Sequence, residues 1–103
     1  MTARRRRRAA GERIAELFVA YGRMVYGICR LILRDPSEAE DAAQQTFLSA
    51  YRGLLAGQDP REPSAWLGTI ARNECRARLR KRSDSTAGAD RPRAAATSAY
   101  ESP

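Results

Sequence analysis

The chain contains no histidine, one lysine and two cysteines, and these shortages exclude several classes of function. Cys29 and Cys75 lack C-x-x-C spacing, so a zinc site or a Cys/His nucleophile pair has no candidate residues. We therefore predict no metal, no cofactor, no small-molecule substrate and no catalysis, and both thiols are expected in the core in a reducing compartment. Apolar runs last only a few residues, which argues against export or a membrane span and favours a cytoplasmic protein.

Basic charge is abundant but unevenly placed along the 103 residues, whose net charge is +7. Lys81 is the only lysine among 19 basic residues, and arginine binds phosphate as a planar fork. A GC-rich coding bias explains the arginine excess equally well, but not its clustering at Arg4–Arg8 and again between Arg72 and Arg82. Between Asp35 and Glu62, six acids stand against two basic residues, which favours two partners of opposite charge.

The length allows one domain, and local helical contacts are the economical way to fold a core this small. We predict an all-α fold, a compact three- to four-helix bundle over residues 12–82. Residues 1–11 are expected to be a flexible Arg-rich arm, and residues 83–103 a linker or disordered tail.

Three helical segments can be placed from periodicity and local signals. Apolar residues recur at helical spacing from Glu12 to Leu33, as one helix or two with a bend near Gly22. Asp35-Pro36 stops this segment and caps a second helix that runs to about Leu55, with Glu38 able to close a capping box. Residues 57–63 break the pattern, and a third helix follows over residues 64–82. The predicted core includes Ile14, Leu17, Phe18, Tyr21, Met24, Val25, Ile28, Leu31, Ile32, Ala39, Ala42, Ala43, Phe47, Ala50, Tyr51, Leu54, Leu67, Ile70, Ala71, Ala77 and Leu79.

Polar residues line one flank of the second helix. Helical spacing aligns Glu38, Asp41, Gln44, Gln45 and Leu48. On periodicity alone, an ordinary solvated face is the favoured interpretation, because most helices have one.

The third helix carries a stripe of arginine. Arg72, Arg76 and Arg80 are spaced four residues apart and adjoin Asn73. Such a stripe can follow a phosphate backbone while the amide reaches a base edge. The preceding helix is acidic where this one is basic. Together with that difference in charge, the stripe favours nucleic-acid contact over a solvated arginine face.

Two strings carry a specific resemblance. Residues 35–51 read DPSEAEDAAQQTFLSAY, and residues 63–73 read PSAWLGTIARN. This pair resembles the second conserved region of bacterial sigma factors, most closely in the extracytoplasmic-function group, and the likeness covers roughly residues 12–82. It implies a helical domain that docks on the β′ coiled coil of the RNA polymerase core and captures the promoter −10 element.

The resemblance assigns roles to both surfaces. Asp41, Gln44 and Gln45 would hydrogen-bond or pair with basic groups of the coiled coil, and Leu48 would add apolar contact. The family usually has Gln-Glu where this chain has Gln44-Gln45, so one charge is missing. This implied docking role replaces the solvated face favoured by periodicity.

On the DNA side, the loop over residues 58–64 would hold a base flipped from the non-template strand. Trp66 would lie at the upstream edge of the melted region, although a purely structural role in the core is nearly as well supported. The implied DNA-binding set is Gln58, Asp59, Arg61, Ser64, Trp66, Arg72, Asn73, Arg76 and Arg80. The family's helix-turn-helix domain, which reads the −35 element, has no counterpart in the sequence.

Two other functions remain open from the sequence. A general RNA- or ribosome-binding helical domain would need only the basic third helix. A regulatory module bound by an inhibitory anti-sigma factor is a companion to the sigma-factor interpretation, and an anti-sigma factor is accordingly an expected partner.

Overall fold

Three α-helices make up the described part of the chain, residues 2–87 of a computed structural model. Helix α1 spans Ala3–Leu33, α2 spans Pro36–Leu55 and α3 spans Pro63–Ala87. Each helix contacts both of the others, so the bundle encloses a single core. The predicted all-α fold is confirmed. The expected linker or tail lies outside the described residues from position 88 onward, while residues 83–87 continue α3.

Helix α1 begins earlier than the sequence analysis expected. Residues 3–11 were predicted to be a flexible arm, but they form the first turns of a continuous helix. Thr2 caps this helix, since its Oγ1 accepts a hydrogen bond from the Arg5 backbone N–H at 3.2 Å. Arginine and alanine are strong helix formers. Ala10 is buried beside the end of α2, so the segment also gains tertiary contact that its own pattern does not reveal.

The turn between α1 and α2 follows the predicted chemistry. The Asp35 carboxylate accepts a hydrogen bond from the Glu38 backbone N–H at 2.8 Å, and Pro36 occupies the first turn of α2. The Glu38 carboxylate, which was predicted to close a capping box, pairs with Arg82 of α3. Arg34 ends α1 in the left-handed conformation, with φ at 70°.

Small side chains allow the three helices to pack closely. The second helix contributes mainly alanines to the core, and Thr46 is buried with its hydroxyl donating to the Ala42 carbonyl at 2.8 Å. The buried apolar residues are Ala10, Leu17, Val25, Cys29, Leu33, Ala39, Ala42, Phe47, Ala50, Leu67, Ala71 and Cys75.

Three residues predicted for the core lie at the surface instead. Phe18 is 59% exposed and Leu31 is 81% exposed, because α1 is apolar over a wider arc than α2 and α3 can cover. Phe18 still makes an edge contact with the Phe47 ring at a centroid distance of 5.2 Å. Ala77 is exposed because Leu67, Ala71 and Cys75 define the buried side of α3.

Candidate polymerase and nucleic-acid interfaces

The polar flank of α2 is open to solvent. Its opposite side is buried through Ala39, Ala42 and Ala50, and this orientation directs the polar residues outward. The Asp41 side chain is 59% exposed, Gln44 and Leu48 are exposed, and Gln45 is half-buried. The structure therefore places all four predicted polymerase-binding residues along an accessible surface.

This flank is tied to α3 by ion pairs that the sequence did not predict. The Arg78 guanidinium bridges Asp41 and Glu74, with N–O distances of 2.9 Å to each carboxylate. One turn further along α3, Arg82 pairs with Glu38. Arg78 thus orients Asp41 while leaving much of its carboxylate accessible.

The local environment of Arg78 is reflected in its pKa. Burial acts to lower the pKa of Arg78, but the hydrogen bonds to Glu74 and Asp41 outweigh it and raise the pKa above its usual value. Arg78 therefore remains charged, and it serves the fold rather than forming part of the exposed arginine stripe. The sequence contained a usable signal, since Glu74 precedes Arg78 by one helical turn.

The first residues of the loop between α2 and α3 are hydrogen-bonded to the last turns of α2. Gly57 adopts the left-handed region with φ at 100°, which glycine does without strain. The Gln58 backbone N–H then donates to the Gly53 carbonyl at 3.0 Å. Beyond this point Asp59 and Arg61 are exposed, and Ser64 is half-buried at the start of α3.

Gln58 and Trp66 meet above Gly53. A Cβ atom at Gly53 would overlap the Gln58 side-chain oxygen and lie 3.1 Å from Cζ2 of Trp66. Trp66 is half-buried and packs against the core. A ring anchored in the core therefore also borders the loop, and a DNA contact of Trp66 stays a prediction.

The arginine stripe of α3 divides between two surfaces. Arg72, Arg76, Arg80 and Asn73 fall within an arc of about 100° on the helix. Arg72 and Arg76 line a groove beside the end of α1, whereas Arg80 lines a depression with Asp41 of α2. Asn73 is exposed and lines neither of these grooves. These four residues share one side of α3 but do not line a single groove.

The α1 wall of the first groove was not predicted from the sequence. Leu31 and Arg34 lie there opposite Arg72 and Arg76. Leu31 had been predicted for the core. Arg34 lies in a short turn, where helical periodicity does not predict the direction of a side chain. Only the packing of α1 on α3 brings these residues together.

Cys29 and Cys75 are both free and completely buried, as the sequence predicted. They lie near each other where α1 packs on α3, and each affects the pKa of the other. Burial and the neighbouring Cys75 raise the pKa of Cys29 to about 12, and burial also raises the pKa of Cys75. Both thiols are therefore neutral and shielded at ordinary pH.

Other kinds of site receive no support in residues 2–87. No cluster of carboxylate and cysteine side chains in that range is arranged to hold a metal ion. Within the same range, no helix combines the length and apolar character that crossing a bilayer requires.

Comparison with known proteins finds sigma factors among the chain's relatives. The chain is 38% identical over 74 residues to the ECF RNA polymerase sigma factor SigM of Mycobacterium tuberculosis, a match covering 70% of this chain and 38% of SigM. It is 37% identical over 79 residues to the ECF RNA polymerase sigma factor SigK of Mycolicibacterium vanbaalenii, covering 71% of this chain and 40% of SigK. The ECF RNA polymerase sigma factor SigW of Bacillus subtilis is 35% identical over 68 residues, covering 66% of this chain and 36% of SigW.

The chain spans less than half the length of these curated relatives. No solved structure matches it. The family model for Sigma-70 region 2 matches residues 17–85, which include most of α1, all of α2, the loop and most of α3. The chain therefore belongs to the Sigma-70 region 2 family.

Proposed function

We propose that this domain is the promoter −10 recognition and strand-opening module of an alternative sigma factor, and that it docks on the β′ coiled coil of RNA polymerase. The observation that carries the proposal is the pair of exposed surfaces of different chemistry on neighbouring helices of a Sigma-70 region 2 domain. The α2 flank is acidic and amide-rich, and the α3 side is rich in arginine. A domain that bound only nucleic acid would gain nothing from the first surface.

The α2 flank is suited to a basic protein partner. Asp41 offers a carboxylate whose position Arg78 holds, and the side chain stays 59% exposed. Gln44 adds an amide with both donor and acceptor groups, and Leu48 adds exposed apolar area. Because Arg78 already orients Asp41, a coiled-coil cation can join the pair without first ordering the carboxylate.

The loop and α3 are suited to an unpaired DNA strand. Extruding a base costs a few kcal/mol of lost stacking, which the domain must offset through contacts to the base and its backbone. Gln58 and Trp66 provide an amide and an aromatic edge at the loop, while Asn73 and Arg72 project from the adjacent turns of α3. The module acts by binding the opened strand more tightly than the duplex, not by catalysis.

The domain has a proposed cellular location and a further proposed partner. Its site of action is the cytoplasm, on polymerase at promoter DNA, and an anti-sigma factor is a further proposed partner. Co-purification of the full chain with an inhibitory protein that competes with polymerase would identify the anti-sigma factor.

Polymerase docking is tested by pull-down of core RNA polymerase with the full chain. We expect Asp41→Asn combined with Gln44→Ala to reduce capture at least fivefold. Glu12→Gln is a charge-matched control, since Glu12 is an exposed acid on α1 away from the flank. Equal capture by both variants, or no capture by the unmodified chain, would refute docking through α2.

Strand recognition is tested by fluorescence anisotropy with single-stranded −10 oligonucleotides and matched duplexes. We expect preference for the single strand, loss of base discrimination in Asn73→Ala, and uniformly weaker binding in Arg76→Ala with a shallower salt dependence. Equal affinity for RNA of unrelated sequence, together with no polymerase capture, would instead favour a general RNA-binding domain.

A further inference from the structure

A groove with apolar and cationic walls lies where the end of α1 meets α3. Its volume is about 480 Å³. Leu31 and Leu79 form part of the apolar lining, and Arg34, Arg72 and Arg76 add guanidinium groups from both sides. Arg34 comes from the turn after α1, so the groove is basic on both walls.

The cations of this groove differ from those on the other side of α3. Toward α2, Arg78 is paired with Asp41 and Glu74. Arg82 borders the groove but is paired with Glu38. Toward α1, the guanidinium groups of Arg34, Arg72 and Arg76 have no carboxylate partner among residues 2–83. No acidic residue lines this groove. Arg72 and Arg76 are also one helical turn apart, where like charges repel. An external polyanion would relieve that repulsion.

Arg34 is held in an unusual backbone conformation. It has the only positive φ of any non-glycine residue in the described part of the chain, at 70°. Glycine or asparagine adopts this conformation more readily than arginine. The Arg34 backbone N–H donates to the Arg30 carbonyl at 2.9 Å, and the Arg30 side chain donates to the Arg34 carbonyl at 2.8 Å. Backbone strain of this kind is a reason to look for a function of the side chain.

We propose that this groove binds the phosphodiester backbone of DNA and that Arg34 is a phosphate-binding residue on the wall opposite α3. The fork of a guanidinium matches phosphate oxygens, and two opposing basic walls hold a strand more firmly than the α3 stripe alone. Leu31, which is 81% exposed, gives the sugar of the bound strand an apolar surface. The inference rests on DNA being the ligand of the proposed function, and it adds an α1-side contact to it.

The test is the salt dependence of DNA binding by the full chain carrying Arg34→Gly. Glycine suits the left-handed backbone, so this variant removes a charge without disturbing the turn, and Arg34→Asn is a second variant with the same property. Loss of one phosphate contact should lower the slope of log K against log salt by about 0.7 for a single strand or about 0.9 for a duplex. Arg34→Lys should retain most of the slope because it keeps the positive charge.

Arg23→Ala is the matched control, because it removes one exposed positive charge from the middle of α1, away from the groove. We expect its slope to change by less than half as much. Equal slope changes in Arg34→Gly and Arg23→Ala would overturn the proposal, since only net charge would then matter. Equal, Arg34-dependent binding of polyglutamate would also overturn it, in favour of an acidic protein ligand.

Comparing single-stranded with duplex DNA identifies which form of DNA the groove binds. The same comparison separates this inference from the proposed function. A slope change near 0.7 with single strands and none with duplex places the opened strand in the groove. A change near 0.9 with duplex and none with single strands places flanking double-stranded DNA there. Failure of the chain to prefer −10 single strands refutes the proposed promoter function, yet an Arg34-specific slope change on any DNA would still support the groove.

Discussion

Replacing Gly53 with alanine tests how the α2–α3 loop is packed against Trp66. The added Cβ would overlap the Gln58 side-chain oxygen and approach Cζ2 of Trp66 to 3.1 Å. Gln58 is exposed, so its side chain can swing away at little cost. Trp66 is anchored in the core, and its ring must shift by a few tenths of an ångström. The substitution therefore acts on the place where the loop meets the aromatic ring.

Two opposing free-energy terms determine the expected stability. Alanine in place of a helical glycine stabilises by about 0.5–1 kcal/mol. Pushing the Trp66 ring against its core neighbours costs about 1 kcal/mol, the low end of the penalty for overpacking. We expect these terms to cancel approximately in Gly53→Ala. Gly27→Ala is the control, because nothing lies within 4 Å of a Cβ at Gly27 and only the favourable term applies.

The difference is measurable by thermal unfolding and by fluorescence. Gly53→Ala should unfold about 4–8 °C below Gly27→Ala if the stabilities differ by about 1 kcal/mol. Trp66 is the only tryptophan, so a shift of its emission in Gly53→Ala alone would report the moved ring directly. Weaker binding of single-stranded −10 DNA should accompany the shift. Equal stabilisation of both variants with unchanged emission would refute the packing described here.

Three further outcomes follow from the core and its ion pairs. The pKa of Cys29 is raised from 9.0 to about 12, so its contribution to the free energy of unfolding is complete below pH 9. Between pH 9 and 12 that contribution falls by about 1.4 kcal/mol per pH unit. Urea unfolding across this range should therefore show a smaller loss of stability in Cys29→Ala than in the unmodified chain. Arg78→Met should lower the free energy of unfolding by about 1–3 kcal/mol, because it leaves Glu74 without its partner. In a double-mutant cycle, adding Glu74→Gln to this variant should recover part of the lost stability. Thr46→Val should change stability by less than about 1 kcal/mol in chemical denaturation, because the Ala42 carbonyl that loses the hydroxyl remains bonded within the helix.

Several features of the fold could be predicted because their causes are local in sequence. Asp35 and Pro36 cap and start α2, and Gly57 and Pro63 bracket the loop before α3. Each signal acts over three or four residues, within the reach of capping and turn chemistry. The exposed polar flank of α2 was also predictable, since its helical spacing is independent of what the opposite side contacts.

Other features depended on which helices meet. The first turns of α1 carry no apolar pattern beyond Ala10, whose burial beside the end of α2 is a tertiary effect. Phe18 and Leu31 fit the apolar spacing of α1 but remain exposed, because two neighbouring helices cover only part of a wide apolar arc. Periodicity identifies the residues available for burial, and the partners decide which of them are buried.

The sequence by itself determined an all-helical domain with an acidic flank on one helix and an arginine stripe on the next, because helix signals and charge spacing are encoded within short segments. Only the tertiary structure decided that Arg78 stabilises Asp41, that Arg72 and Arg76 face a groove completed by Arg34, and that Cys29 meets Cys75. Those pairings join residues distant in the chain, and they arise from the packing of α3 against both α1 and α2 rather than from any local preference.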